Sequence, residues 1–264
     1  MRSKLEVCID SISGLEACIN GKAERIELCS SLELGGLSPS DELMKLASEV
    51  NIPCRVMIRP KKGSFEYSSR DLHQMFDDID KARSYNFDGV VFGATLLNGE
   101  LDQEFLGQLI RYSDGIKKTL HRAVDTIPKT IEAVEIAINL GFDTILSSGG
   151  YETVMEGLAV LKEMQQRASG RIEIMPGSGI NPQNISEILS DCHFAWLHSS
   201  CSIHRQNSKI TDSQTIKEIK TASIKIAVNS VKKIISTSVD KSKLDTLFQK
   251  NLDETKAELK KINS

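Results

Sequence analysis

Two short segments of the sequence, LEVCID and RIELCS, each carry a glutamate and a cysteine two positions apart. The pairs are Glu6 with Cys8 and Glu27 with Cys29, and the residues between and around them are mostly aliphatic, as in buried strands. Because a strand alternates faces with every residue, both members of each pair point to the same side. Two carboxylates and two thiols on one face are costly to bury unless they are hydrogen-bonded or serve chemistry.

The thiols indicate one possible chemistry, which is the binding of a soft metal ion. If the two strands are neighbours, Cys8 and Cys29 lie at similar height and offer two ligands to Cu(I), which prefers thiolate and thioether sulfur to oxygen. Met57 and Met175 are further soft donors. The chain has six cysteines but no CxxC pair, so neither a disulfide scaffold nor a zinc ribbon is expected.

The bulk properties of the 264 residues exclude some classes of partner. A formal net charge of -3 and a pI near 6.0 create no field that attracts nucleic acid or an anionic membrane surface. The sequence has no apolar stretch long enough for a membrane span and no apolar leader after Met1. We expect a cytoplasmic protein without nucleic-acid or membrane partners.

Short apolar segments alternate with helical patterns along most of the chain, which predicts repeated βαβ units. The predicted strands are 5–9, 25–29, 54–59, 88–92, 117–121, 143–147, 171–175 and 194–198. The predicted helices are 12–20, 40–50, 70–85, 102–111, 129–140, 152–168 and 182–190. Eight such repeats, with no GxGxxG after the first strand, favour a closed (β/α)8 barrel over an open doubly wound sheet.

No linker rich in Pro, Gly or Ser interrupts the barrel pattern, so the sequence predicts one domain over residues 1–264. We expect the barrel over about 5–225 and a helical C-terminal extension over about 226–264. The polar segment from about 206 onward is predicted to be helical throughout.

Active sites of such barrels lie at the C-terminal ends of the strands, where this chain places several ionisable side chains. Glu6, Glu27, His121 and His198 are the candidate acid and base groups. The glutamates equally fit a buried structural network with arginines. Both interpretations remain open at this point.

The same strand ends carry groups suited to bind an anion. Arg59 and Arg122 can clamp a carboxylate or phosphate or neutralise the glutamates, and Asp125 lies just beyond Arg122. In the turn MPGSGINPQN, Gly177 and Gly179 allow backbone amides to approach a ligand where a strand leads into a helix.

The motifs, taken together, resemble the copper homeostasis protein CutC family over residues 5–200. They are LEVCID, RIELCSSLELGGLSPS, VMIRPKKGSFEYS, DGVVFGA, LHRAVD, FDTILSSGG, IEIMPGSGI and LHSS. The resemblance implies a TIM barrel, a cytosolic homodimer or other small homo-oligomer, and a role in copper binding and tolerance. It also implies that Cys8 and Cys29 match the cysteines proposed as Cu(I) ligands in this family.

The chain departs from the family pattern at three positions. Lys61 stands where a second arginine is common, Ser178 where glycine is usual, and Trp196 where a glutamate often precedes His198 by two residues. Trp196 removes an inward carboxylate, whereas Ser178 is compatible with an anion-binding loop.

Three hypotheses follow from the sequence. The first is a cytosolic protein of copper homeostasis that holds Cu(I) through inward-facing cysteines. The alternative is a barrel enzyme of the lyase, isomerase or hydrolase type that acts on a small phosphorylated or carboxylated metabolite. A purely structural or partner-binding barrel is the third, and it gives no reason for inward polar residues.

Overall fold

The computed structural model describes residues 2–205 and 208–238 of the chain. Eight parallel strands form one sheet in the order β7-β6-β5-β4-β3-β2-β1-β8. The strands are β1 Lys4–Ile9, β2 Arg25–Leu28, β3 Cys54–Met57, β4 Gly89–Phe92, β5 Lys117–Leu120, β6 Thr144–Ser147, β7 Glu173–Pro176 and β8 Trp196–Ser199. β7 and β8 are in contact without a hydrogen-bonded ladder, so the barrel is nearly closed.

A helix or helical turn follows each of the first seven strands, as the predicted βαβ repeats require. The helices are α1 Ile12–Gly21, α2 Asp41–Ser48, α3 Ser69–Ser84, α4 Gln103–Tyr112, α5 Ala133–Leu140, α6 Leu158–Ala168 and α7 Ile185–Ile188. Two 3-10 turns, Leu32–Leu34 and Arg122–Thr126, lie in the loops after β2 and β5. The predicted (β/α)8 architecture is confirmed.

Local sequence signals explain where several helices begin and end. Ser68 accepts a hydrogen bond from the Asp71 amide and the Asp71 carboxylate accepts one from the Ser68 amide, which forms a capping box at the start of α3. Ser11 and Ser40 cap α1 and α2, because each side chain accepts one hydrogen bond from the backbone amide three residues later. Gly141 ends α5 in a left-handed conformation that glycine adopts readily.

The strand register determines which inward side chains meet. Cys8 is level with Glu27 of β2, and Glu6 is level with His198 of β8. Cys29 therefore lies two residues farther along its strand than the position opposite Cys8. The expectation that the two cysteines share one height was wrong, because parallel strands in a barrel are staggered around its wall.

The segment after β8 begins with a hairpin and not with a helix. Strands β9 Ser202–Arg205 and β10 Ser208–Thr211 pair antiparallel and form a separate two-stranded sheet. The prediction of continuous helix from about 206 was therefore wrong at this point. Each strand has a single apolar residue, Ile203 or Ile210, so no alternation of apolar and polar residues marks the hairpin in the sequence.

The C-terminal helix α8 spans Ser213–Ser238. By its internal contacts the chain divides into two compact units, residues 1–223 and 224–264, and α8 crosses the boundary. Within the first unit, Ser223 donates a hydrogen bond to the Ser3 carbonyl at 2.8 Å. Residues 239–264 of the predicted extension lie outside the described residues, and the prediction of one domain over 1–264 stays a prediction.

None of the helices in residues 2–205 and 208–238 combines the length and the apolar content that a membrane span requires.

The tight spacing of β4 and β5 generates a stability prediction. A Cβ at Gly89 would lie 2.6 Å from the Lys117 carbonyl oxygen, which is backbone and cannot rotate away. We expect Gly89→Ala to lower the free energy of unfolding by more than about 2 kcal/mol, as other overpacking changes do. Urea denaturation followed by circular dichroism measures the change.

Gly107→Ala in α4 is the matched control for this experiment. The nearest atom to its Cβ is the end of the flexible Arg111 side chain, at 3.3 Å. Alanine in a helix interior is favoured over glycine by up to about 1 kcal/mol, so this variant should be at least as stable as the parent. Equal loss of stability in both variants would contradict the assigned contact at Gly89.

Candidate metal and small-molecule site

A cavity of about 760 Å³ opens at the C-terminal ends of the barrel strands. The strand ends contribute Cys8, Glu27, Met57, Arg59, His121, Leu146 and His198 to its lining. The turn after β7 adds Ser178 and Gly179, and the region of the β9–β10 hairpin adds Ser202 and Lys209. The predicted polar barrel mouth therefore exists as one continuous cavity.

Three ligand types meet on one wall of this cavity. Cys8, Glu27 and His198 come from β1, β2 and β8, and each is buried. One sulfur, one carboxylate oxygen and one ring nitrogen of these side chains all lie within 4.8 Å of one another. The parallel register brings them together, because β1 is the strand between β2 and β8. We refer to these three residues as the Cys8–Glu27–His198 group.

Glu6 lies beneath this group and fixes the orientation of His198. Its carboxylate is completely buried, accepts a hydrogen bond from Arg25 Nε and lies 2.8 Å from His198 Nδ1. Burial opposes ionisation of Glu6, but the Arg25 cation and His198 outweigh it and hold the pKa at about 2. The ionised Glu6 accepts a hydrogen bond from the Nδ1–H of His198, so Nε2 of the ring is directed toward Glu27, 3.7 Å away.

The pKa values of Glu27 and His198 are both raised. Burial lowers the pKa of His198, but Glu27, Cys8 and Glu6 outweigh it and raise the pKa well above its ordinary value. Burial, reinforced by Glu6, raises the pKa of Glu27. Glu27 Oε1 is buried and has no hydrogen-bond partner among the described residues. Glu27, which lines the cavity, thus has a buried oxygen without a hydrogen-bond partner.

Cys29 lies beside this group and not inside it. Its thiol donates to Glu27 Oε2 at 3.5 Å, and it is completely buried in an apolar cluster with Met57 and Val91. Burial and the neighbouring Glu27 raise the pKa of the thiol well above its usual value. Of the two other proposed soft donors, Met57 lines the cavity, whereas Met175 Sδ lies 3.3 Å from an Arg25 nitrogen.

Arg25 contacts Trp196, one of the positions where the chain departs from the family pattern. Its guanidinium stacks on the Trp196 ring at 3.7 Å from the ring centroid while its Nε donates to Glu6. Glu6 is then the only carboxylate that forms an ion pair with Arg25 among the described residues.

His121 lies on the opposite part of the cavity wall, at the end of β5. Its Nδ1 accepts a hydrogen bond from the Ala123 amide at 3.1 Å, so the remaining proton of the neutral ring is on Nε2. Burial and the nearby Arg59 cation lower the pKa to about 3. Nε2 is buried and has no partner among the described residues. A Cβ at Gly93 would lie 2.6 Å from Nδ1, so this glycine, which the sequence did not identify as functional, makes room for the ring.

Arg59 is held by the loops that follow β2 and β3. Its terminal nitrogens donate to the carbonyls of Leu34, Gly36 and Gly63 at 2.9 to 3.1 Å. The guanidinium lies over the Phe65 ring at 4.7 Å. Among the described residues Arg59 Nε has no hydrogen-bond partner, and no carboxylate forms an ion pair with this side chain. The Tyr67 hydroxyl is near enough for the Arg59 cation to oppose the rise that burial causes in the Tyr67 pKa.

Arg122 and Asp125 are bound to each other and to the turn after β6. Arg122 Nε donates to Asp125 at 2.8 Å, and a terminal nitrogen donates to Ser148 Oγ at 2.8 Å. Asp125 also accepts hydrogen bonds from the Ser148 amide, the Gly150 amide and the Ser147 hydroxyl. Both residues line the cavity, but most of their hydrogen-bonding capacity holds the 147–150 turn in place.

The Gly-rich turn after β7 has one glycine below the cavity and one at its edge. The Gly177 amide donates to the Ser147 carbonyl, and Leu146 and His198 leave no space for a Cβ there. Gly179 lines the cavity with a left-handed φ of 80°. The predicted helix over 182–190 is reduced to Ile185–Ile188. Asn181 Oδ1 accepts hydrogen bonds from the amides of Gln183 and Asn184, which directly precede this helix. Anion binding by this turn stays a prediction.

The chain is similar to known proteins over the residues that build this site. The CutC family pattern matches residues 3–203. A family protein CutC of Agrobacterium fabrum is 40% identical over 232 residues, which cover 82% of this chain and 92% of that protein. The human copper homeostasis protein cutC homolog is 39% identical over 197 residues, covering 74% of this chain and 72% of the relative.

A solved structure supports the same assignment. The CutC protein of Streptococcus agalactiae superposes with a TM-score of 0.71 at 31% identity, covering 76% of this chain and 99% of that one. The family match extends over the barrel and every strand end that lines the cavity. The chain belongs to the CutC family.

Proposed function

We propose that this barrel binds copper as Cu(I) at the Cys8–Glu27–His198 group and acts in copper homeostasis in the cytoplasm. The observation that supports the proposal best is the convergence of a thiol, an imidazole and a carboxylate from three strands at one buried point. The human relative is named a copper homeostasis protein, in agreement with this role.

The donor types fit a soft or borderline metal ion. Thiolate and imidazole are ligands that Cu(I) accepts, whereas carboxylate is a weaker partner for it. Ligand atoms within 4.8 Å of one another need only small movements to share one ion with bonds of about 2.0 to 2.3 Å. Because thiol and imidazolium must lose protons to bind a metal, uptake of the ion would release protons from this group.

The surroundings of His198 also fit a metal ligand. Histidines that bind metals usually donate their other ring N–H to a carboxylate, which fixes the tautomer and raises the basicity of the ligand. Glu6 has this position at 2.8 Å from Nδ1. Cys29 remains a predicted ligand from sequence, and its hydrogen bond to Glu27, one of the proposed ligands, supports this prediction.

The state of the cysteines agrees with a cytoplasmic location. All six cysteines are free thiols, in keeping with a reducing compartment. Assembly into a homodimer or another small homo-oligomer remains a prediction from the family resemblance.

A second candidate function is acid/base catalysis on a small metabolite. The observation that favours it is the size of the cavity, about 760 Å³, which is far more than one metal ion needs. His198 holds its proton strongly between Glu6 and Glu27 and faces this space, so Glu27 and His198 would move protons on a bound substrate. Lyase, isomerase and hydrolase chemistry are all compatible with this pair.

Removal of the Cys8 thiol tests the copper proposal. We expect the parent protein to bind one Cu(I) per chain and Cys8→Ser to lose affinity by at least about tenfold, because oxygen is a poor ligand for Cu(I). Anaerobic competition with a chromophoric Cu(I) chelator gives the affinity and the stoichiometry. Cys29→Ser in the same assay shows whether the second predicted thiol is also a ligand.

Cys54→Ser is the matched control for this assay. Cys54 is a buried thiol at the start of β3 that donates to the Ile52 carbonyl at 3.3 Å, a bond that serine retains. Its Cu(I) affinity should equal that of the parent. Unchanged uptake in Cys8→Ser, or the same loss in Cys54→Ser, would exclude the proposed site.

Replacement of the Glu6 carboxylate tests the orientation of His198. We expect Glu6→Gln to weaken Cu(I) binding by about 10- to 100-fold, as loss of other outer-shell carboxylates does. The variant also leaves Arg25 with a buried unpaired charge, so its thermal midpoint should fall. Glu173→Gln makes the same change in β7, where no hydrogen bond or ion pair among the described residues joins the side chain to His198, and should retain the affinity. Equal affinities for all three proteins would contradict the role of Glu6.

The enzymatic candidate has its own test in heavy water. We expect the protein to catalyse deuterium incorporation at a carbon next to the carbonyl of a small keto acid or sugar phosphate, and Glu27→Gln to abolish it. Proton NMR of a mixed panel of such compounds follows the exchange. Exchange rates equal to those of the buffer alone would count against an acid/base enzyme.

A further inference from the structure

Two buried N–H donors belong to residues that line the cavity. His121 Nε2 and Arg59 Nε have no hydrogen-bond partner in the described part of the chain, and their side chains are 3% and 4% exposed. Both residues line the cavity that also contains the Cys8–Glu27–His198 group. Buried donors without partners are costly, so their retention at one cavity wall indicates a ligand that supplies the acceptors.

Phe65 holds the two donors near each other. Its ring lies 4.7 Å from the Arg59 guanidinium carbon and 4.8 Å from the centroid of the His121 imidazole. The Arg59 cation is close enough to lower the pKa of His121. One aromatic side chain thus contacts a cation and a neutral imidazole that face the same space.

The charge at this wall is positive and uncompensated. Arg59 gives its other nitrogens to backbone carbonyls, which carry no formal charge. No carboxylate among the described residues forms an ion pair with it, whereas the nearby Arg122 is paired with Asp125. His121 is neutral, since its Nδ1 accepts from a backbone amide. A buried guanidinium without a counter-ion favours an anionic ligand.

We propose that Arg59 and His121 bind the carboxylate of a small hydroxycarboxylate metabolite in this cavity. Two free N–H groups and one positive charge match the two oxygens and the single charge of a carboxylate. A phosphate group, with three free oxygens and a charge approaching two, would leave acceptors without donors at the same wall. The orphaned Glu27 Oε1 on the opposite wall accepts a hydrogen bond from a ligand hydroxyl.

The size of the cavity agrees with this class of ligand. A volume of about 760 Å³ lies within the range of pockets that hold small metabolites. The carboxylate end of the site uses Arg59 and His121 and no member of the Cys8–Glu27–His198 group, and only the hydroxyl end shares Glu27 with the proposed copper site. Either proposal can fail while the other stands.

Isothermal titration calorimetry of the full chain, freed of metal with a chelator, tests the proposal. The probes are lactate, malate and gluconate, with inorganic phosphate as the competing anion type. We expect at least one of the three carboxylates to bind and phosphate not to displace it. Absence of heat from all three carboxylates at millimolar concentration, or tighter binding of phosphate, would overturn the proposal.

Two substitutions of His121 separate the donor from the structural role of the ring. Asparagine keeps an acceptor near the position of Nδ1 for the Ala123 amide but lacks a donor that reaches as far as Nε2. Glutamine places an amide N–H near the position of Nε2. We expect His121→Asn to weaken carboxylate binding by about tenfold or more and His121→Gln to retain most of it.

Equal affinity of the parent and His121→Asn for the carboxylate would overturn the assignment, and so would a greater loss in His121→Gln than in His121→Asn. Cys54→Ser serves as the control, since this buried thiol is bonded to the Ile52 carbonyl and is not part of the cavity lining, so its carboxylate affinity should equal that of the parent. Thermal unfolding of each variant shows that it is folded at the temperature of the titration.

Discussion

The buried carboxylate of Glu6 is the interaction on which the organisation of the barrel mouth depends. It accepts a hydrogen bond from Arg25 of β2 and lies within hydrogen-bond distance of His198 of β8, so one anion connects β1 with both neighbouring strands. A buried ion pair of this kind contributes little net stability, because desolvation offsets most of the attraction. What it provides is a fixed orientation for His198, whose Nε2 is directed toward Glu27.

The polar residues of the mouth fall into two classes by how their hydrogen bonds are used. Arg122 and Asp125 satisfy each other and the turn after β6, so they act mainly as scaffold. Glu27 and His121 each retain an unpartnered buried atom that faces the cavity, and Arg59 retains an unpaired charge. Unpartnered groups of this kind determine which ligand a site binds, because they form hydrogen bonds only when a ligand is present.

Much of the fold follows from local features of the sequence. The alternating pattern of RIELC and the apolar run GVVF are long enough only for strands, and Ser68 with Asp71 marks the start of a helix in the order that capping requires. Eight such repeats are most easily accommodated by a (β/α)8 barrel. The β9–β10 hairpin was missed because its strands are short and polar, with one isoleucine each, so no apolar periodicity marks them.

By itself the sequence determined the barrel, the end of it that bears polar residues and the residue types present there, since these follow from periodicity and composition. Only the tertiary structure decided which side chains meet. Strand stagger placed Cys8 opposite Glu27 and left Cys29 in an apolar cluster, although the local pattern treats both cysteines alike. Likewise, Arg59 and Arg122 both follow strands, but only the folded loops determine that one is paired and the other is not. The physical reason is that hydrogen-bond partners across a barrel are distant in sequence, and periodicity within one segment carries no information about them.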